Sequence, residues 1–262
     1  MKRMIKYPRT RHLSGSGLQP GDEDLNIAAY KELIGRHIVI EEKMDGSNTG
    51  IRFTPDGSLL LQSRGHYLTG GPRERQFALF KSWAHHHAPA LWDLLTDRYI
   101  MYGEWMYAKH TIFYTDLPHY FLEFDIYDTQ AGAFLSTAKR REFLAKAPFI
   151  VSVRALYEGV AARKNTLPDW IAPSPFIAAD HLEQLRQLSD RLGLQPELAW
   201  RETDPSGLME GLYIKVEEGD FVQNRYKWVR SDFLQTIIDS ESHWMNRPLI
   251  PNQLRKGVNL FD

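Results

Sequence analysis

The 262-residue chain contains no cysteine. Disulfide staples, thiol nucleophiles and thiolate metal sites are therefore excluded, which fits a reducing compartment. It has no apolar run long enough to span a bilayer and no apolar signal segment, so a soluble cytoplasmic protein is expected. Charge of one sign is also missing. The formal net charge is −1, so no global field draws the chain to a polyanion, and any such binding must come from local patches. Internal repeats and low-complexity linkers are absent too. At 43% hydrophobic residues the chain can bury the core of one large domain.

Local basic patches do exist. Lys2, Arg3, Lys6, Arg9 and Arg11 crowd around Tyr7 in a turn-rich stretch over residues 1–20, read as an ordered arm on the surface. Lys139-Arg140-Arg141 reads as a solvated helix face, and Arg225, Lys227 and Arg230 form a third group. His85-His86-His87 looks like a metal tract, but consecutive helical residues point in different directions and cannot chelate one ion. A solvated helix end is expected there.

Asp22 or Asp24 can cap a short helix through Leu25, Ala28, Ala29 and Leu33, stopped by Gly35. Apolar strand-like runs follow at 37–40, 49–53 and 59–65, the last delivering Arg64 at a strand end, with Thr54-Pro55-Asp56-Gly57 as a hairpin turn between the last two. Helices are expected over 73–87 and 89–96, strands over 99–105 and 120–127, and a helix over 137–147. Residues 152–206 show several prolines, a helix near 180–192 and no strand order, and read as a helical insertion near the substrate path. Strands return at 211–216 and 221–228, before a helix near 231–240. Strands and helices without a βαβ rhythm indicate an antiparallel-rich α+β domain.

The organising stretch is Glu41-Glu42-Lys43-Met44-Asp45-Gly46-Ser47-Asn48. A lysine at a strand end before an Asp-Gly turn is held on rigid backbone. Its ordinary pKa of about 10.4 leaves little free amine at neutral pH, and three neighbouring carboxylates push it higher. A nucleophilic role needs compensating cations or desolvation from elsewhere. Alone, Lys-x-Asp-Gly is equally an ordinary hairpin turn. However, Lys43, Arg64, Glu104, Asp125, Glu210, Arg225 and Lys227 each sit in or beside an apolar strand. Buried charges are costly unless paired or ligand-bound, and so many of alternating sign indicate one charged cleft.

In order, Lys43-Met44-Asp45-Gly46 with Asn48, Ser63-Arg64-Gly65, Gly103-Glu104, Phe124-Asp125-Ile126, Glu210-Gly211-Leu212-Tyr213-Ile214-Lys215 and Arg225-Tyr226-Lys227-Trp228-Val229 resemble the motifs of the covalent nucleotidyltransferases. That superfamily comprises polynucleotide ligases and mRNA capping enzymes, and the chain is most similar to its small ATP-dependent RNA ligases. The resemblance implies a single antiparallel-rich α+β adenylation domain over 1–262, ATP-grasp-like, with flanking helices. It implies ATP as AMP donor, Mg²⁺ or Mn²⁺ as cofactor, and RNA strands with 5′-phosphate and 3′-hydroxyl ends as partners, sealed through lysyl-AMP. An end-processing kinase or phosphatase would be a compatible partner.

By the same resemblance Lys43 is the nucleophile, and Lys227 with Arg225 neutralises the α-phosphate and lowers the pKa of Lys43. Arg64 and Glu104 hold ribose and phosphates, Phe124 stacks on adenine, and Glu42 reaches adenine through its main chain. Asn48 contacts a sugar or backbone during sealing. Glu210 with Asp125 holds the metal ion. Each has a plainer rival: Phe124 as core, Glu104 as a surface acid, Asp125 as a turn cap. Lys215 is expected to snorkel along a strand edge and stands outside the set.

Two departures matter. Arg225 stands where lysine is common in the motif, and arginine is bulkier and never deprotonates. The short stretch after Val229 leaves no room for an OB-fold barrel, which argues against a capping enzyme or typical DNA ligase. Lys6, Arg9 and Arg11 are then the expected phosphate contacts. The alternatives are a DNA or mixed RNA/DNA nick ligase and a non-catalytic nucleotide- or RNA-binding protein.

Overall fold

The computed structural model describes residues 4–18, 26–163, 166–240 and 247–262. Eleven strands are assigned among them: β1 (Arg11–His12), β2 (His37–Lys43), β3 (Ser47–Phe53), β4 (Leu59–Ser63), β5 (Tyr99–Trp105), β6 (Phe121–Asp128), β7 (Ala133–Leu135), β8 (Val151–Ser152), β9 (Ala155–Val160), β10 (Gly211–Glu218) and β11 (Phe221–Val229). Six helices accompany them: α1 (Ala78–His86), α2 (Ala88–Leu95), α3 (Thr137–Leu144), α4 (His181–Arg191), α5 (Pro196–Arg201) and α6 (Ser231–Asp239). The α+β, antiparallel-rich expectation agrees with this architecture.

The sheet runs β4-β3-β5-β6-β7-β11-β10-β2-β9. All pairs on that path are antiparallel, while β1 joins β11 and β8 joins β6 in parallel. The outer edge of β11 is shared: β7 pairs with Phe221 and Val222, and β1 takes over at Tyr226 and Lys227. The arm is thus bonded into the sheet beside the last motif.

Two-residue periodicity decides which side chains face the site. Across β2, β10 and β11, Ile38, Ile40, Leu212, Ile214, Tyr226 and Trp228 point to one side and form an apolar core. Their odd-numbered neighbours Glu41, Lys43, Tyr213, Lys215, Arg225 and Lys227 therefore share the other face, in register across the three strands. A larger core lies under α1 and α2, where Phe80, Trp83, Leu91 and Leu95 pack on Phe53, Trp105 and Phe121. Burying each such side chain contributes about 1.5–3 kcal/mol.

Several expectations need correction. Asp22, Asp24 and Leu25 lie outside the described residues, as do Lys2 and Arg3. Of the helix expected through Leu33, only a 3-10 turn over Tyr30–Glu32 is present, with Gly35 at φ +82° closing it. The segment from 152 is not wholly helical. It begins with β8 and β9, and β9 forms the sheet edge against β2, so helices occupy only its later part. Arg140 is not solvated but 3% exposed. His85 and His86 are exposed, whereas His87 is half-buried and stacks on Phe149 at 4.5 Å.

Candidate active site

Lys43 ends β2, and Asp45-Gly46 turns the chain into β3. The turn is fixed from outside. Asp45 Oδ2 accepts the N–H groups of Thr111 and Ile112, both at 2.7 Å, and the Asp45 N–H donates to the Tyr114 hydroxyl at 3.0 Å. Gly46 is required by close packing: a Cβ there would lie 2.7 Å from Met106 Sδ and 2.9 Å from Glu104 Cγ.

Glu210 stands at the start of β10, and Lys43 Nζ donates to its Oε1 at 2.5 Å. Gly211, which follows, pairs with Lys43 on one side and Val229 on the other. A Cβ at Gly211 would fall 2.1 Å from the Trp228 carbonyl oxygen. Gly211→Ala must therefore shift backbone beside the nucleophile. A loss of about 3 kcal/mol is expected, lowering Tm by roughly 10 °C in a thermal melt.

The electrostatics are those of an acid cluster around one ammonium. Burial pulls the Lys43 pKa down, but Glu210, Glu104 and Asp45 outweigh it, and the net direction is upward. This direction is opposite to the depression expected from Lys227 and Arg225. Burial lifts Glu210 to about 7 against the pull of Lys43 and Lys227. Burial likewise lifts Glu104 to about 8, with Glu210 and Asp45 adding to the rise. Glu210 Oε2 is buried and has no hydrogen-bond partner. The pocket is short of positive charge.

That shortage has a sign in stability. A carboxyl whose folded pKa is raised binds its proton more tightly folded than unfolded, so stability falls as pH rises from its ordinary value to its folded one. For Glu210 this window runs from 4.5 to about 7. In metal-free buffer, Glu210→Gln is expected to flatten the decline in urea midpoint across that window.

Other expected site residues take varied positions. Asn48 on β3 pairs with Glu104 on β5, and both are half-buried at the rim. Lys227 is half-buried on β11, opposite Tyr213. Arg64 is exposed in the bend after β4. The main-chain N–H of Glu42 donates to the Arg154 carbonyl, and its buried carboxylate accepts from Ser174 at 2.5 Å. Phe124 is half-buried with the Tyr7 ring edge-on at 5.1 Å. Lys6 and Arg9 are exposed, and Arg11 donates to the Asn26 carbonyl at 3.0 Å.

Asp125 and Arg225 belong to a buried charge network beside the Lys43 pocket. Asp125 is fully buried. It accepts from the Tyr7 hydroxyl at 2.5 Å and faces Lys215 Nζ at 3.2 Å and Arg225 Nη1 at 3.7 Å. Burial alone would raise its pKa, but Lys215, Arg225 and Arg140 more than reverse that. It stands as the counter-ion of Lys215 and Arg225. The Arg225 guanidinium lies over the Phe134 ring at 3.7 Å. Lys215 does not snorkel; it is fully buried and donates to Glu41 at 3.0 Å. Arg140 links Glu41 at 3.1 Å to Glu123 at 3.0 Å, closing a set of three carboxylates and three cations. The alternation Glu41/Lys43 and Tyr213/Lys215 carried a signal for this set; nothing in the sequence pointed to Arg140.

A twisted antiparallel sheet with a motif-borne lysine facing glutamates defines the class, and the comparisons name the family. The RNA ligase family model matches residues 36–229, most of the chain. The chain belongs to the RNA ligase family. No curated protein matches it. Among solved structures it is similar to Naegleria gruberi RNA ligase in an alanine variant with ATP and Mn, at 15% identity and TM-score 0.48. That alignment covers 80% of this chain and 54% of the Naegleria one. A putative ATP-dependent DNA ligase from Aquifex aeolicus aligns at 17% identity and TM-score 0.48, over 88% of this chain and 51% of that one. The chain thus spans about half the length of these structures. Among the described residues no helix is long and apolar enough to cross a membrane.

Proposed function

We propose that this protein is an ATP-dependent RNA ligase that seals 5′-phosphate and 3′-hydroxyl ends through a lysyl-AMP intermediate on Lys43. The observation that carries the reading is the Lys43–Glu210 contact at 2.5 Å inside an acid cluster, on motif positions of an RNA ligase family member. Lys43 Nζ forms a bond to the α-phosphorus of ATP as the bond to pyrophosphate breaks. AMP then passes to the RNA 5′-phosphate, and the 3′-hydroxyl displaces it to form the phosphodiester. The titration of the pocket supports the first step: Lys43 is held as an ammonium until its facing carboxylates are neutralised, and Glu210 Oε1 is placed to hold the released proton.

The residues fit a divalent cation, because Glu210 Oε2 is buried with no hydrogen-bond partner among the described residues, near the carboxyls of Glu104 and Asp45. Glu210 would hold it. Among the described residues no three His, Asp or Glu stand close enough together to hold a metal ion. Water and phosphate oxygens would complete the shell. When bound, the ion supplies the positive charge that lets Lys43 lose its proton. Lys227, Arg64 and Glu104 remain the proposed nucleotide contacts, with Phe124 against the base and Asn48 at the sealing step. Lys6, Arg9 and Arg11 are the proposed phosphate contacts of the arm.

The test is incubation with α-labelled ATP and Mg²⁺ followed by a denaturing gel. A metal-dependent labelled band on the wild-type protein is expected, followed by joining of 5′-phosphorylated RNA. Absence of label with ATP, GTP and NAD⁺ would overturn the reading.

A further inference from the structure

We infer that Asp204 is a positioning residue for AMP transfer, fixing Glu210 and the Lys43 turn relative to each other; this rests on the function proposed above. Asp204 ends the segment that follows α5, a part of the chain with no motif and no assigned role. It is 4% exposed and makes two sets of contacts that lead to opposite sides of the nucleophile.

The first set runs through Arg230, itself 4% exposed. The Asp204 carboxylate accepts from Arg230 Nη2. Arg230 Nε in turn donates to the Met209 carbonyl at 2.7 Å, and the Arg230 main-chain N–H donates to the Glu210 carbonyl at 3.2 Å. Arg230 therefore holds the Met209 carbonyl with its guanidinium and the Glu210 carbonyl with its main chain. The second set runs through the loop between β5 and β6. The Asp204 N–H donates to the Thr111 carbonyl at 2.8 Å, and Thr111 and Ile112 hold Asp45, two residues after Lys43.

Neighbouring contacts make this junction stiff. Lys109 Nζ donates to the Glu202 carbonyl at 3.0 Å and to the His110 carbonyl at 3.2 Å. Arg247 Nη1 donates to the same two carbonyls. Asp204 Oδ1 also accepts from the Ser206 N–H at 2.9 Å, which fixes its rotamer. Lys43 and Glu210 are 167 residues apart in sequence, and Asp204 meets both backbones that carry them, its carboxylate on the Glu210 side and its N–H on the Lys43 side. A shift of either backbone changes the Lys43–Glu210 contact and with it the aim of the lysine nitrogen.

Single-turnover AMP labelling of Lys43 with Mg²⁺, followed against ATP concentration, tests this in Asp204→Ala, Asp204→Asn and Arg230→Lys, with Asp232→Asn as control. Asp232 is the exposed second partner of Arg230. Asp204→Ala is expected to slow labelling at saturating ATP by about 10- to 100-fold with ATP affinity changed less than about threefold. Asp204→Asn keeps shape and acceptor oxygen and should fall between; Asp232→Asn should match wild type. Wild-type labelling rates in the folded Asp204 variants would overturn the inference alone. So would a loss that only tracks the folded fraction, which Asp204→Asn reads even where Asp204→Ala folds poorly. An unlabelled wild type would overturn the proposed function and this role with it.

Discussion

Lys43→Arg is expected to give no covalent AMP, a loss of at least about 10³-fold in labelling, while the protein stays folded. The guanidinium keeps a cation facing Glu210, so the ion pair survives. It cannot surrender its proton near neutral pH, so no nucleophile forms. Lys43→Ala should lose label to the same extent by a different route. Glu210, already at about 7, then faces no ammonium and takes up a proton instead of standing charged in a buried site. Its melt should therefore resemble wild type near pH 6 and fall below it near pH 8. Retained label in Lys43→Arg would move the nucleophile elsewhere, and Lys227 on the same face of the sheet would be the next lysine to test.

The second large effect concerns stability. Lys215→Met and Arg140→Met should each cost about 3–5 kcal/mol in urea unfolding, because each leaves a buried carboxylate without its cation. Lys215 serves Glu41 and Asp125, and Arg140 serves Glu41 and Glu123. Adding Glu123→Gln to Arg140→Met should recover part of the loss, since removing both partners is cheaper than stranding one. If the single variants cost no more than an exposed pair, about 0–1 kcal/mol, the network is not a structural keystone. These positions also test a distinction within the charged cleft. Glu210 and Lys43 sit in a pocket short of positive charge, whereas Glu41, Glu123 and Asp125 are balanced by cations of the chain itself. The first invites a ligand and the second does not.

That distinction was invisible along the chain, where Asp125 and Glu210 are both acids beside apolar strands. Asp125 is answered by Tyr7, 118 residues away, and by Lys215 on β10. The expected metal role fell on it because sequence alone cannot count the partners of a carboxylate. Arg140 read as solvated since its neighbours Lys139 and Arg141 are basic and half- or fully exposed, and one turn of helix turns only the middle residue inward. The start of the 152–206 segment read as helical insertion because β9 is an edge strand with half-exposed side chains on both faces, so no clean alternation marks it.

By itself the sequence determined the strands that carry the motifs, the strand-end lysine with its turn, and the face it shares with Lys227. These follow from a two-residue period and from Asp-Gly turn chemistry, which are local. It also determined the glycines beside Lys43 and Glu210, although not the reason, which is the approach of Met106, Glu104 and the Trp228 carbonyl. Only the tertiary structure decided which charges are satisfied and which await a ligand. Burial sets the cost of a charge and partners brought from distant strands repay it, so the state of each carboxylate depends on contacts closed across more than a hundred residues.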